Sequence, residues 1–253
     1  MEANIKHLLR LWALAIFLGA LVVAGLINAV ARGQYLPAIA VCVGLAIAAF
    51  SILQGRRKAV LLFKESTPDR AITYYHSSRR RMPNGKAMGA YLSAYAAVLY
   101  GRFDQAREEL ASVNWTALPP LYQGFEAYIH SLLAIFQLRD YTQALSLAEE
   151  ARELCAVAGK FPGSNTSRAA LDANFAVCEL LVGKDSPDVL DRLHRATEQL
   201  PGVSPALPAW ALAAYYSKTG QQSAAARYLS IVQRLVPHCA PLNDLHPAGS
   251  AQS

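Results

Sequence analysis

The sequence predicts an all-α protein in two parts: a membrane-spanning helical hairpin at the N-terminal end, then an array of about four to five helix pairs. Three observations lead there. Two long apolar runs stand near the start of the chain. From Ala59 onward apolar residues recur at helical spacing, and no stretch shows the sustained period-two alternation that marks a strand. A short pattern is also written twice, "GRFDQA" at 101–106 and "RDYTQA" at 139–144, each with an aromatic three residues ahead of an alanine.

The hairpin comes first. Residues 11–31 form a charge-free run of 21 residues, about 32 Å long at 1.5 Å per helical residue and so long enough for a bilayer core. A second run, 36–53, has 18 residues and would span about 27 Å. Only Arg32-Gly33-Gln34-Tyr35 separates them, which forces the two helices antiparallel. Small residues four apart (Ala20 and Ala24, then Ala40, Gly44 and Ala48) would let them approach closely in lipid. The first run exceeds a signal peptide's usual core and a second follows at once, so a retained span is expected. Lys6 and Arg10 precede the first span, and Arg56, Arg57, Lys58 and Lys64 follow the second. By the positive-inside rule both termini are cytoplasmic.

Charge is unevenly placed. The formal net charge is +6, yet residues 56–86 hold nine Lys or Arg against only Glu65 and Asp69. Residues 87–253 hold 12 basic and 15 acidic side chains. Basicity confined to the membrane-proximal stretch argues against a nucleic-acid surface. Arg56, Arg57, Lys58, Arg79, Arg80 and Arg81 are instead candidates for contact with anionic lipid headgroups. The expected organisation is a transmembrane hairpin at 1–55, basic membrane-proximal helices forming a degenerate repeat at 56–86, a repeat domain at 87–239, and a disordered tail at 240–253.

The twice-written pattern sets the register of the helices. "GRFDQA" resembles the turn of a tetratricopeptide repeat, in which Gly, an aromatic and Ala join two antiparallel helices and the small Ala lets them pack closely. "RDYTQA" matches at Tyr141 and Ala144 but has Arg139 where Gly is usual. "KTGQQSAAARYLSIVQRLVP" matches at Gly220 and Ala225, with Gln222 in place of the aromatic. Weaker matches fall at Val189 and Ala71. The anchor positions Ala71, Ala106, Ala144, Val189 and Ala225 are spaced by 35, 38, 45 and 36 residues, against about 34 for the family's unit. The longest interval contains "AGKFPGSNTS", an inserted loop. The resemblance covers most of residues 60–238 and implies an α-solenoid whose first helices line a concave face. It places Tyr91, Tyr95, Ile129, Leu133, Asn174 and Trp210 on that face, as a groove for a helix or apolar peptide of a partner protein. In a more strongly curved stack the same rings would be internal core.

No constellation for chemistry stands out. "GKFPGSN" at 159–165 lacks the residue order and preceding strand of a phosphate-binding loop. Glu108-Glu109 and Glu149-Glu150 sit beside Arg107 and Arg152 and read as solvated, ion-paired helix faces. His130 and His194 have no nucleophile or acid beside them in sequence. Cys42, Cys155, Cys178 and Cys239 form no C-x-x-C pair, so neither a zinc site nor a disulfide framework is expected. The chain is therefore read as a non-enzyme without metal or cofactor: a membrane-anchored scaffold or adaptor on the cytoplasmic face. The alternative is an accessory or regulatory subunit of a membrane enzyme or transport complex, against which stands the absence of Asp, Glu, Lys and His from both apolar runs. The layout is similar to that of a family of bacterial inner-membrane proteins linked to haem biosynthesis, which implies an inner-membrane location.

Overall fold

The computed structural model describes residues 43–44, 60–65, 67–78, 84–158 and 164–243. The chain divides into two compact units, Met1–Arg57 and Lys58–Ser253. Of the two apolar runs only Val43 and Gly44 are among the described residues, both helical and exposed. No helix among the described residues is long and apolar enough to cross a membrane. The expected spans at 11–31 and 36–53 thus lie otherwise outside the described residues.

The described part of the second unit is helical, with no strand. Its helices are α1 (Asp69–Ser78), α2 (Gly85–Leu99), α3 (Phe103–Ala111), α4 (Pro120–Leu133), α5 (Tyr141–Val157), α6 (Ser164–Leu181), α7 (Pro187–Gln199), α8 (Ala206–Lys218), α9 (Gln222–Leu235) and the short α10 (Ala240–Asn243). Successive helices pack on one another except α3 and α4, and α2 packs on α4 and α6 on α8.

The twice-written pattern does form turns. After α2, the Gly101 N–H donates to Val98 O at 2.9 Å and the Arg102 N–H to Ala97 O at 2.8 Å. Gly101 sits at φ +76°, a conformation that suits a residue without Cβ. These paired bonds take up carbonyls that the helix end leaves free, and α3 starts at Phe103. The same two bonds recur at Gly183 and Gly220. The turn after α4 differs. Residues Ala134–Leu138 wind into a π-turn, the Asp140 N–H reaches back to Ala134 O, and Arg139 takes the left-handed conformation at φ +58°. The extra residue in this loop is absorbed by widening the last turn of the helix, so that α5 still starts at Tyr141.

Each anchor position is buried: Ala71, Ala106 and Ala144 at 0% exposure, Val189 at 3% and Ala225 at 4%. Close approach is also visible at Gly124, where an added Cβ would stand 3.0 Å from Ala151 O. That spacing leaves no room for a side chain between α4 and α5.

Between α2 and α4 the contacts include stacked aromatic rings. Tyr91 stacks on Phe125, 34 positions later in the sequence, with centroids 4.5 Å apart. Tyr95 stacks on Tyr128, 33 positions later, at 6.1 Å. Because both partners advance together, α2 and α4 run side by side in the same direction. Phe63, 1% exposed, closes the near end against Tyr75, Tyr95 and Tyr100.

α3 and α1 are short helices, of 9 and 10 residues. The Trp115 indole N–H donates to Leu110 O at 2.8 Å, which satisfies a terminal carbonyl of α3 and folds the chain back there. The expected tail at 240–253 is helical over Ala240–Asn243, with Leu242 at 0% exposure. This short helix packs on α2, α8 and α9. Its Pro241 side chain stands 3.5 Å from where a Cβ on Gly101 would lie. The last described helix therefore meets the first tight turn.

Candidate functional site: the inner aromatic wall and its pocket

The residues expected to line a groove fall in three places. Tyr91 and Tyr95 are half-buried members of the ring ladder between α2 and α4. Burial pushes both hydroxyls up out of their ordinary titration range, so they act as neutral hydrogen-bonding rings. Ile129 and Leu133 on α4 and Trp210 on α8 are buried, at 0%, 4% and 3% exposure. Ile129 and Leu133 are interior, and Trp210 is buried at the base of a cavity between the turns. Trp210 packs against Phe136 at 5.1 Å, from α8 onto the segment that ends α4.

Asn174, 1% exposed, belongs to a buried polar node. Its Nδ2 donates to Ser131 Oγ at 3.1 Å, and the Ser131 hydroxyl donates to Ala144 O at 3.0 Å. With the Ser131 proton committed, the Cys178 thiol at 3.6 Å is the donor to Ser131 Oγ. Burial holds that thiol up at about 12, which makes it inert at neutral pH. The node ties α4, α5 and α6 together around one hydroxyl.

Arg56, Arg57, Lys58, Arg79, Arg80 and Arg81, the candidate headgroup contacts, lie outside the described residues. No group of three or more His, Cys, Asp or Glu positioned to hold a metal occurs among the described residues. His194, read from sequence as isolated, is bracketed by two tyrosines. Its Nε2 lies 2.9 Å from the Tyr216 hydroxyl and its Nδ1 2.6 Å from the Tyr228 hydroxyl. This bridges α7, α8 and α9. On α6, Phe175 lies beneath the Arg152 guanidinium at 4.0 Å, with the Arg192 guanidinium at 5.9 Å. Asp172 stands 3.8 Å from each of those arginines.

One concavity is built from the turns themselves. A cavity of about 350 Å³ opens where the ends of α2 and α4 meet α8 and α10. Its rings are Tyr100, Phe103, Phe136, Tyr141 and Trp210. Phe103 and Tyr141 are the aromatics of the twice-written turn pattern. Ile135 and Phe136 reach it from the π-turn, while Ala240 and Pro241 supply the far wall. The Tyr100 hydroxyl is already committed, donating toward the carbonyls of Leu62 at 3.1 Å and Glu65 at 2.9 Å. Arg139 is the one charged residue of the lining. Of these residues sequence reasoning had selected only Trp210. Phe103 and Tyr141 were visible as turn aromatics, but nothing local shows that two turns and α10 converge.

Compared with known proteins, the chain matches no family model, no curated protein and no solved structure.

Proposed function

We propose that this chain is a membrane-anchored helical-repeat scaffold, tetratricopeptide-like in its second unit, that holds a partner protein at the cytoplasmic face of the membrane. The observation that carries the reading is the shared register of α2 and α4. Ring pairs recur 34 and 33 residues apart, and anchor residues at the turns are buried. Stacked helix pairs of this kind bury a continuous core and leave long faces for binding. The two apolar runs are the anchor, and the Lys and Arg residues flanking them set the orientation. The basic stretch around Arg56–Lys58 and Arg79–Arg81 holds anionic headgroups, each contact contributing about 1 kcal/mol near the surface.

Because Ile129, Leu133 and Trp210 are buried, the partner-binding edge is assigned to the half-buried tyrosines Tyr91, Tyr95 and Tyr122. Rings with an apolar body and a polar tip are common anchors in protein interfaces. The partner is a helix or extended apolar segment of a protein.

A photocrosslinking amino acid placed at Tyr91 in the full-length chain, expressed in cells, tests this. A second chain carries it at Val157, 75% exposed on α5. The expected result is one discrete protein adduct from position 91, absent from position 157, recovered in the membrane fraction. No adduct at 91 removes this edge as the partner site, and an adduct confined to the soluble fraction removes the anchor.

A further inference from the structure

We infer that the cavity between the turns is a binding site for a small uncharged aromatic molecule, independent of any protein partner. Size limits the ligand first. The space of about 350 Å³ lies near the lower end of the range for small-molecule pockets, about 300 to 1,000 Å³. It suits one or two planar rings rather than a long chain.

The state of the rings separates an aromatic ligand from an aliphatic one. Elsewhere in the fold rings pair off: Tyr91 on Phe125, Tyr95 on Tyr128 and Tyr216 on Tyr228, with centroids 4.5, 6.1 and 5.7 Å apart. In the cavity wall Phe136 already leans on Trp210 at 5.1 Å, and Tyr100 is stacked on Phe63 at 6.2 Å. Phe103 and Tyr141 line the same space and are only half-buried. Neither has a ring against it among the described residues. A ligand ring in the cavity supplies the partner that these two lack. Such ring pairs gain more than the area they bury, because the electron-rich face of one ring attracts the electron-poor edge of the other.

Polarity then excludes charge. The Tyr100 hydroxyl is committed to the carbonyls of Leu62 and Glu65. Arg139 already interacts with the protein, and no carboxylate lines the space. The adjacent Asp140 accepts from the Gln143 N–H at 2.9 Å as the cap of α5. A charged ligand would give up its hydration with no counter-charge set aside to receive it. The Tyr141 hydroxyl differs from these groups, since it has no hydrogen-bond partner among the described residues. It can donate to or accept from one polar group of the ligand. The class is therefore a neutral arene with a single hydroxyl or N–H, such as a phenol or an indole.

The test uses 2-naphthol, its saturated counterpart decahydro-2-naphthol, and 2-naphthoate. Each is titrated by calorimetry into the full-length chain in lipid nanodiscs, with the heat from empty nanodiscs subtracted. At neutral pH 2-naphthol is expected to bind about tenfold more tightly than the saturated alcohol, with the carboxylate weakest. Phe103→Leu keeps an apolar side chain but removes a ring, and should narrow the preference for 2-naphthol over the saturated alcohol. Tyr141→Phe keeps the ring but removes the hydroxyl, and should weaken 2-naphthol severalfold. Ala240→Phe adds a ring at an exposed position of the wall and should abolish binding of both alcohols. If Phe103→Leu fails to fold, the other two substitutions decide, because neither removes packed volume. No binding of 2-naphthol to the native chain overturns the inference. So does equal binding of the saturated alcohol, binding of the carboxylate as tight as that of 2-naphthol, or unchanged binding in any of the three folded variants.

Discussion

Trp210→Ala lowers the stability of the folded chain by roughly 3–5 kcal/mol, the range for truncating a buried large aromatic. The indole is 3% exposed, lies 5.1 Å from the Phe136 ring, and sits where α8 meets the end of α4. Removing it deletes apolar area and also leaves a cavity, because Phe136 is held by the π-turn and cannot follow inward freely. For a domain of this size a loss of that order lowers Tm by about 6–20 °C, at about 2–4 °C per kcal/mol. Thermal unfolding of full-length protein in detergent measures it. An unchanged Tm would mean that the ring is not part of the core and that α8 does not close over α4.

The second large effect separates two adjacent alanines. Ala225 is 4% exposed, at the anchor position of α9, and Ala226 beside it is exposed. Ala225→Leu should cost about 1–3 kcal/mol, since added methylenes must displace a packed neighbour. Ala226→Leu should stay within about 0.5 kcal/mol of native. Leucine and alanine are both good helix formers, so propensity does not account for the difference, and the comparison isolates packing. Equal Tm values for the two variants would remove the helix-pair register at this position.

What was legible in the sequence is what depends on short-range chemistry. A glycine two residues before an aromatic, followed by a small residue, specifies a reversal followed by close packing, and Gly101, Phe103 and Ala106 behave accordingly. The turn at Arg139 was readable for the same reason, although the π-turn that accommodates it was not: nothing in "LLAIFQLRD" distinguishes it from regular helix. The burial of Ile129, Leu133 and Trp210 was also hidden, because it depends on which helices distant in sequence pack over them, and no single repeat encodes that. The polar node at Ser131, Asn174 and Cys178 joins residues 43 and 47 positions apart, so it too escaped local reading. The C-terminal helix was missed because Pro241 and the nearby polar residues resemble a tail. Its fold comes from burial of Leu242 and Cys239, both at 0% exposure, against other helices.

The central claim is that α2 and α4 are successive copies of one unit, stacked in parallel at a spacing of about 34 residues. Double-mutant cycles on Tyr91 and Phe125 test it most directly, because coupling between two rings arises only if they touch. The stacked pair, with centroids 4.5 Å apart, should show about 0.5–1.5 kcal/mol of coupling. The same cycle on Tyr91 and Tyr228, which belong to different ring clusters, should give none beyond the additivity limit of about 0.3–0.5 kcal/mol. Coupling at Tyr91 and Phe125 no larger than in that reference pair would contradict the stacking, and with it the repeat architecture on which the scaffold reading stands.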